Sequence, residues 1–197
     1  MLVLHYTGMR DAEAALERLC DPGAEVSAHF VICPRGTLFQ LVPEEARAWH
    51  AGAGGWTGVS DINSRSIGIE LVNTGAQPFS EPQMQVLEAL MRDLMGRHAI
   101  LPRDVIGHSD MAPARKDDPG PRFDWRRLAR HGLALWPEGM GADLPLGPSL
   151  TAIGYPPAPP EKRLQAFRFR FDPAARGPET ARDRRRASAV AAAFIRA

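Results

Sequence analysis

Three polar residues, His5, Glu70 and His108, each lie within or at the end of a short apolar run of the sequence. The segment 109–121, which follows His108, adds several carboxylates and a lysine. Two imidazoles and one carboxylate form a catalytic zinc site that leaves the fourth position open for water, whereas structural zinc sites are usually rich in cysteine. These residue types therefore favour hydrolytic zinc chemistry over a structural zinc site.

Lysine is rare in this chain, which singles out Lys116. Of the 24 lysines and arginines, only Lys116 and Lys162 are lysines. A compact ammonium group stabilises developing negative charge differently from a planar guanidinium group. We therefore expect Lys116, in the loop after His108, to support the same chemistry.

For the three polar residues to meet, their apolar runs must become strands of one sheet. The runs 2–5, 66–72 and 105–108 have the length and composition of buried strands. Residues 28–33 and 37–42 flank a short turn that contains Pro and Gly, which predicts a β-hairpin. Because strand ends in one sheet can converge, the sequence predicts a common site for these polar side chains.

Helices are predicted between the strands. Asp11 is expected to cap a helix that ends near Leu19, and Asp124 is expected to cap a later helix. Ser80 begins the sequence Ser-Glu-Pro-Gln, which predicts a capping box before a longer helix with one apolar face over residues 86–95. Strands interleaved with helices indicate a layered α/β domain.

The composition excludes several classes of protein. With 197 residues, 44% hydrophobic and 24% charged, the chain can bury the core of one ordinary domain and is not of the disordered class. Two cysteines cannot form a multi-disulfide framework. No apolar run reaches the roughly 18 to 20 residues that span a bilayer, and the first residues do not form a signal peptide. As written, the chain is therefore expected to be cytoplasmic.

Charge is distributed unevenly along the chain. Residues 161–197 contain ten Lys and Arg against four Asp and Glu, whereas residues 1–160 contain 14 against 19. The basic run 182–186 has no aromatic residues interleaved, which favours a solvated helix face over a nucleic-acid-binding surface. We therefore predict that the chain has no nucleic-acid partner.

A shift in composition divides the chain into three parts. Pro and Gly become frequent after Trp136, so residues 1–136 are predicted to form the main domain and residues 137–148 a connector. The remaining residues 149–197 are too few to build an independent core. We therefore expect this basic segment to pack on the main domain or to be only partly ordered.

Five motifs follow one another within residues 1–136. They are Leu4-His5-Tyr6-Thr7, Val26-Ser27-Ala28-His29-Phe30, Ala48-Trp49-His50-Ala51-Gly52, Ser66-Ile67-Gly68-Ile69-Glu70, and Gly107-His108-Ser109-Asp110 with Lys116-Asp117-Asp118-Pro119-Gly120-Pro121. Together they resemble the type-2 N-acetylmuramoyl-L-alanine amidases, which share their fold with the peptidoglycan recognition proteins. The resemblance implies an α/β fold with a mixed central β-sheet flanked by helices, followed by a short helical C-terminal segment. Residues 149–197 are similar to a shortened copy of a small peptidoglycan-binding module.

The resemblance implies a role for each residue of the site. The zinc ligands fall on His5, His108 and Asp118, the catalytic glutamate on Glu70, and the catalytic lysine on Lys116. Zn²⁺ is thus the implied cofactor. It can lower the pKa of bound water to about 7 and polarise a carbonyl group, while the glutamate transfers the proton and the lysine stabilises the oxyanion. The implied reaction is hydrolysis of the amide between the lactyl group of N-acetylmuramic acid and L-alanine.

Three further residues are predicted to contact the substrate. Arg115 falls where related enzymes touch it. Trp49 and His50 lie in a glycine-rich loop, where they either line the substrate groove or have a structural role. The implied partners are peptidoglycan fragments, and we expect the chain to bind these muropeptides as a monomer.

The third metal ligand has competitors in the same loop. Asp110 and Asp117 also follow His108 and could supply the carboxylate instead of Asp118. A short Asp side chain bonds readily to nearby backbone amides, so Asp110 is expected to organise the turn after His108. We therefore favour Asp118.

Structural roles are also open for two other polar residues. Glu70 could form an ion pair with Arg65 or Lys116 rather than act in catalysis. His29 lies inside an apolar β segment and is expected to be a core residue with satisfied hydrogen bonds.

Two alternative functions remain. The first is a recognition module that binds peptidoglycan without cutting it, and the second is a metallohydrolase that acts on a different amide. Because related chains usually have residues before the first strand, the true start could lie upstream of Met1. In that case a leader would be missing from the sequence, and a periplasmic location would be expected.

Overall fold

The computed structural model describes residues 1–196, which contain one five-stranded sheet. The strands are β1 (Leu2–Tyr6), β2 (Phe30–Ile32), β3 (Leu38–Gln40), β4 (Ile67–Leu71) and β5 (Val105–Gly107). Their order across the sheet is β3-β2-β4-β1-β5. β3 runs antiparallel to β2, whereas the other neighbouring strands are parallel. The predicted mixed central sheet is therefore confirmed.

The predicted hairpin consists of β2 and β3, although both strands are shorter than the apolar runs around them. Gly36 in the turn has a φ of +86°, a left-handed conformation that glycine adopts without strain. Its N–H donates to the Cys33 carbonyl at 2.9 Å. The residues of β3 are exposed, so β3 forms a solvent-facing edge of the sheet.

Helices connect several of the strands and follow the last one, as the interleaved pattern predicted. They are α1 (Ala12–Cys20), α2 (Glu81–Arg97), α3 (His108–Met111), α4 (Trp125–Arg130), α5 (Leu146–Ile153), α6 (Pro160–Phe171) and α7 (Ala181–Arg196). Asp11 caps α1 and Asp124 caps α4, each accepting a backbone N–H at 2.9 Å, as predicted. Within residues 1–196, no helix combines the length and hydropathy that a membrane span requires.

The start of α2 differs from the prediction. Ser80 is the N-cap residue, but its hydroxyl donates to the Pro34 carbonyl and accepts no hydrogen bond from α2. The amide of Gln83 donates to the carbonyls of Ile32 at 2.7 Å and Val72 at 3.2 Å. The predicted capping box is therefore wrong, because both side chains instead fasten α2 to the ends of β2 and β4.

Side chains of β1 alternate between the two faces of the sheet. Leu2 and Leu4 join a buried cluster with α2 and α4, whereas Val3 and Ile106 belong to a second cluster. That second cluster contains apolar residues of all three C-terminal helices, among them Leu150 of α5, Phe167 of α6 and Phe194 of α7. The C-terminal helices therefore cover one face of the sheet, opposite α2.

The C-terminal segment is thus packed on the main domain. Residues 149–196 form helices over most of their length, which agrees with the expected short helical segment. α5 begins at Leu146, inside the stretch 137–148 that was expected to be a connector. The Pro- and Gly-rich stretch without regular structure is correspondingly shorter.

The basic run 182–186 is not wholly a solvated face. Arg186 is buried, and its guanidinium donates to the carbonyls of Pro137 at 2.8 Å and Gly139 at 3.0 Å. The same group lies 5.1 Å from the ring centroid of Trp136. For Arg186 the expected solvated position is therefore wrong, because the side chain fastens α7 to the end of the main domain.

Asp110 joins the C-terminal segment to the start of α3. Its Oδ1 accepts from the Tyr155 hydroxyl at 2.7 Å, and its Oδ2 accepts from Arg170 Nη1 at 2.8 Å and from the Gly107 N–H at 2.9 Å. The guanidinium of Arg170 also lies 4.3 Å from the ring centroid of Trp125. This buried ion pair holds α6 against the loop of the main domain.

Removing the Arg170 side of this pair should destabilise the protein strongly. Breaking a buried ion pair costs about 3–5 kcal/mol, because the partner charge stays buried without compensation. We expect Arg170→Met to lower the free energy of unfolding by that amount in urea denaturation. As a control, Arg184→Met removes the surface pairs with Asp143 and Glu179 and should cost much less, because exposed ion pairs contribute little to stability. Equal losses in the two variants would contradict the anchoring role of Arg170.

Candidate metal centre

The carboxyl ends of three neighbouring parallel strands form the base of the site. His5 and Glu70 are register partners on β1 and β4, and His108 follows β5 directly. In open sheets with parallel strands, ligands bind beyond these carboxyl ends. The order β4-β1-β5 therefore brings together the three polar residues that the sequence predicted to converge.

Three possible ligand atoms meet at one point. His5 Nδ1 lies 2.9 Å from His108 Nδ1 and 3.0 Å from Asp118 Oδ2, and His108 Nδ1 lies 3.1 Å from the same oxygen. All three side chains are buried. Asp118 completes this cluster, whereas Asp110 bonds to the C-terminal segment and Asp117 is exposed. We call these three residues the ligand cluster.

The outer ring nitrogen of each histidine has a partner of its own. His108 Nε2 donates to the Ala51 carbonyl at 2.8 Å. His5 Nε2 lies 3.0 Å from His50 Nδ1, and His50 Nε2 lies 3.3 Å from Ser66 Oγ. Histidines that bind a metal almost always use the other ring N–H for a second hydrogen bond. The surroundings of both histidines fit this arrangement.

Burial sets the protonation of the ligand cluster. It lowers the pKa of His5 to about 4, with the charge of His108 as the next cause. It also lowers the pKa of His50 well below its ordinary value. Burial opposes ionisation of Asp118, but the neighbouring rings of His108 and His5 outweigh it and hold the pKa of Asp118 below its usual range. Neutral imidazoles and an ionised carboxylate are the forms that bind a metal.

Glu70 is a second carboxylate at the base of the site. Burial and the charge of Asp118 raise the pKa of Glu70 to about 8, while Lys116 opposes the shift. Its Oε2 atom is buried and has no hydrogen-bond partner among residues 1–196. Among residues 1–196, Glu70 forms no ion pair with Arg65 or Lys116, which was the structural alternative from the sequence. Burying a carboxyl group without a hydrogen-bond partner costs free energy, and groups with shifted pKa values cluster at functional sites. Glu70 is therefore a candidate functional group.

A cavity of about 400 Å³ opens over the ligand cluster. This volume lies within the usual range for ligand pockets. Lys116 is exposed there, as a residue that meets a bound ligand should be. The lining combines apolar, aromatic and charged side chains, namely Tyr6, Met9, Leu19, Val26, Trp49, His50, Arg18, Arg115, Lys116, Glu70, Asp117 and Asp118.

The three residues predicted to contact substrate lie at different depths. Trp49 is 52% exposed at the rim of the cavity, and His50 is buried behind the ligand cluster. Arg115 lies on the cavity wall, where it donates to the carbonyls of Ala51 at 2.9 Å and Ala53 at 3.0 Å. These bonds tie the loop after α3 to the glycine-rich loop. Contact of the three residues with substrate stays a prediction.

His29 is the satisfied core residue that the sequence predicted. Its Nδ1 accepts from the Gly68 N–H at 3.0 Å, and its Nε2 donates to the Ala46 carbonyl at 3.0 Å. Both ring nitrogens are therefore used within the core, and none is left for a metal.

Two polar groups of the site were not predicted from the sequence. Ser66 was assigned only to the start of a strand and Ala51 only to a loop, yet they contact His50 and His108. A backbone carbonyl carries no residue-type signal, and a serine before a buried strand is common. Only the folded chain shows these two contacts.

Comparison with known proteins places these features in a family. The profile of the N-acetylmuramoyl-L-alanine amidase family matches residues 1–121. The N-acetylmuramoyl-L-alanine amidase AmiD of Escherichia coli (strain K12) is 42% identical over 156 residues, which make up 71% of this chain and 55% of AmiD. The 1,6-anhydro-N-acetylmuramyl-L-alanine amidase AmpD of Enterobacter cloacae is 44% identical over 103 residues, or 52% of this chain and 55% of AmpD. The chain thus spans about half the length of the curated relatives it matches.

A solved structure extends the similarity beyond the sheet. The complex of Escherichia coli AmiD with the substrate anhydro-N-acetylmuramic acid-L-Ala-D-γ-Glu-L-Lys is similar to this chain with a TM-score of 0.86 and 32% identity. The match covers 100% of this chain and 88% of that one, so it includes the C-terminal helices. The family profile covers more than half of the chain and includes the whole ligand cluster. The chain therefore belongs to the N-acetylmuramoyl-L-alanine amidase family.

Proposed function

We propose that this chain is a zinc-dependent amidase of peptidoglycan or its muropeptide fragments. The bond that it hydrolyses joins the lactyl group of N-acetylmuramic acid to L-alanine. The observation that carries the proposal is the convergence of His5, His108 and Asp118 at the base of an open cavity, with Glu70 beside them. The amidase activities for which AmiD and AmpD are named, and the substrate in the AmiD complex, support the choice of bond.

The ligand cluster needs a positive charge at its centre. His108 donates its Nε2–H to a carbonyl, so its neutral ring presents a lone pair at Nδ1. This lone pair lies 3.1 Å from Asp118 Oδ2, and an ionised carboxylate has no hydrogen to share. Two acceptors at this distance repel unless a cation lies between them. Two imidazoles and one carboxylate are a donor set that suits zinc.

Each residue of the site then has a chemical task. His5, His108 and Asp118 would hold the zinc ion, which, when bound, would supply a water of pKa about 7 and polarise the scissile carbonyl. Glu70 accepts the proton of the attacking water and returns it to the leaving amine. Positive charge at the ligand cluster offsets the charge of Asp118, which lowers the raised pKa of Glu70 and favours the carboxylate form. Lys116, exposed in the cavity, stabilises the developing oxyanion.

The walls of the cavity supply substrate contacts in this proposal. The exposed indole of Trp49 offers an aromatic surface at the rim, and Arg115 and His50 line the same cavity. Binding sites of this kind combine apolar surface with a few placed polar groups. We therefore assign muropeptides as the ligands of this cavity.

The reaction can be tested directly. Metal-replete protein incubated with anhydro-N-acetylmuramic acid-L-Ala-D-γ-Glu-L-Lys should release the free peptide and the sugar, as detected by mass spectrometry. A chelator and the variant Glu70→Ala should each abolish this release, because they remove the metal and the proton acceptor. Binding without release would favour a non-catalytic recognition module. Release that survives both treatments would exclude the mechanism.

The role of Lys116 gives a second test. Loss of one group that stabilises an oxyanion typically lowers turnover about 100- to 1,000-fold, and we expect this loss for Lys116→Ala with zinc content unchanged. The only other lysine, Lys162, is exposed on α6 and provides the matched control Lys162→Ala. Near-normal turnover in Lys116→Ala would refute the assigned role.

The raised pKa of Glu70 predicts a pH-dependent stability of the metal-free protein. The unfolded chain loses the Glu70 proton near pH 4.5, whereas the folded protein keeps it up to about pH 8. The contribution of Glu70 to wild-type stability should therefore fall as the pH rises through this window. We expect Glu70→Gln to abolish that fall and to be more stable than wild type by about 2–4 kcal/mol at about pH 9.

Urea unfolding of the metal-free proteins at about pH 4 and about pH 9 measures this difference. Glu17→Gln, at an exposed position of α1, is the control. If the stability difference between Glu70→Gln and wild type is the same at both pH values, Glu70 is not held protonated by the fold.

A further inference from the structure

The ring of His5 also has partners on the side that faces away from the ligand cluster, and their role as inferred below rests on the zinc site of the proposed function. We propose that His50, Ser66 and Gly68 are positioning residues, which fix the ring of His5 and decide which of its nitrogens carries the proton. The arrangement leaves the lone pair of His5 Nδ1 directed at the metal position.

The Ile62 carbonyl sets the direction of the hydrogen bonds. Ser66 Oγ lies 2.6 Å from this carbonyl, which can only accept, so the hydroxyl hydrogen of Ser66 is used there. Ser66 Oγ also lies 3.3 Å from His50 Nε2. Because the hydroxyl has only one hydrogen, Ser66 must accept from His50 at this second contact.

The direction of the hydrogen bond from His50 to Ser66 determines the tautomer of the metal ligand His5. A neutral imidazole carries one N–H group, and His50 uses its own at Nε2, so His50 Nδ1 is an acceptor. His5 Nε2 lies 3.0 Å from that acceptor and must therefore donate to it. The single proton of His5 is then at Nε2, and Nδ1 presents its lone pair to Asp118 Oδ2, 3.0 Å away. Four groups in series thus produce the tautomer that a metal ligand needs.

Gly68 leaves the space that the ring of His50 occupies in this series of hydrogen bonds. A Cβ atom at position 68 would lie 2.3 Å from Cγ and 2.5 Å from Cδ2 of the His50 ring. No side chain fits there while the ring keeps its place, although the residue is part of β4. The backbone N–H of Gly68 is held by His29 Nδ1 at 3.0 Å. The strand therefore supports the ring from the core side.

One short segment of the glycine-rich loop serves both histidine ligands. His50 contacts His5 through its side chain, and the next residue, Ala51, accepts from His108 Nε2 through its carbonyl. The backbone N–H groups of His50 and Ala51 both donate to Asn63 Oδ1, at 3.1 Å and 2.8 Å. The segment is thus fixed at three points, which fits a role in orienting the two rings.

Zinc affinity tests the proposal without reference to turnover. Loss of an outer partner of a metal ligand typically costs 10- to 100-fold in metal affinity. We expect Ser66→Ala to weaken zinc binding about 10-fold and His50→Leu about 100-fold, measured by competition with a chromogenic chelator. His50→Asn should recover most of the affinity, because its amide oxygen can accept from His5 Nε2.

The control removes an equivalent hydrogen bond elsewhere. Ser149 Oγ in α5 donates to the Pro145 carbonyl at 3.0 Å, so Ser149→Ala loses the same kind of bond far from the site and should bind zinc like wild type. Gly68→Ala should weaken zinc binding as His50→Leu does, because it displaces the ring without removing a polar group. Wild-type zinc affinity in both Ser66→Ala and His50→Leu would overturn the proposal.

Nuclear magnetic resonance identifies the tautomers of His5 and His50 directly in the metal-free, wild-type protein. Long-range proton–nitrogen spectra with ¹⁵N-labelled histidine should show His5 and His50 protonated at Nε2, and the His50 signal should change in Ser66→Ala. A proton on His5 Nδ1 in the wild type would overturn the proposal. A wild-type protein that shows the expected tautomers but binds no zinc would support the positioning role and contradict the zinc site.

Discussion

Two imidazoles and one carboxylate packed about 3 Å apart in a buried pocket repel one another unless positive charge lies among them. Most of the fold around His5, His108 and Asp118 can be understood as the means of holding them in this arrangement. Adjacent parallel strands supply the positions of the two histidines, and the loop after α3 returns the aspartate to them. Without a cation, the repulsion within the ligand cluster destabilises the fold. Binding of a cation removes this repulsion, and the relief favours binding.

The C-terminal helices belong to the same structural unit as the site. They cover one face of the sheet, and Arg170 of α6 bonds to Asp110 together with Tyr155, which lies in the loop between α5 and α6. Asp110 lies on α3, two residues after the ligand His108. A segment that resembles a separate binding module in sequence therefore acts as part of the support for α3 and the candidate metal centre. This explains why so short a segment is ordered without a core of its own.

Functional groups whose chemistry is evident from the residue type could be predicted from the sequence. Imidazoles at the ends of apolar runs predicted the convergence, the motif after His108 favoured Asp118, and alternating strands and helices predicted the sheet and its flanking layers. Contacts between distant segments carried no such signal. Neither the hydroxyl of Ser66 behind His50 nor Arg170 on the far side of α3 could be found before the chain was folded. At the start of α2, contacts with the sheet replaced the capping pattern that the local sequence suggested.

The position of β1 within the sheet has a consequence for how the protein reaches this structure. β1 precedes the other strands in the chain, yet it is flanked by β4 and β5, and His5 and Asp118 are 113 positions apart. Pairings between such distant segments form slowly and leave apolar strands open to aggregation in the meantime. During synthesis, this apolar strand must wait for more than half of the chain to emerge before both of its edges are covered. The cluster of His5, His108 and Asp118 is accordingly completed late in the folding of the protein.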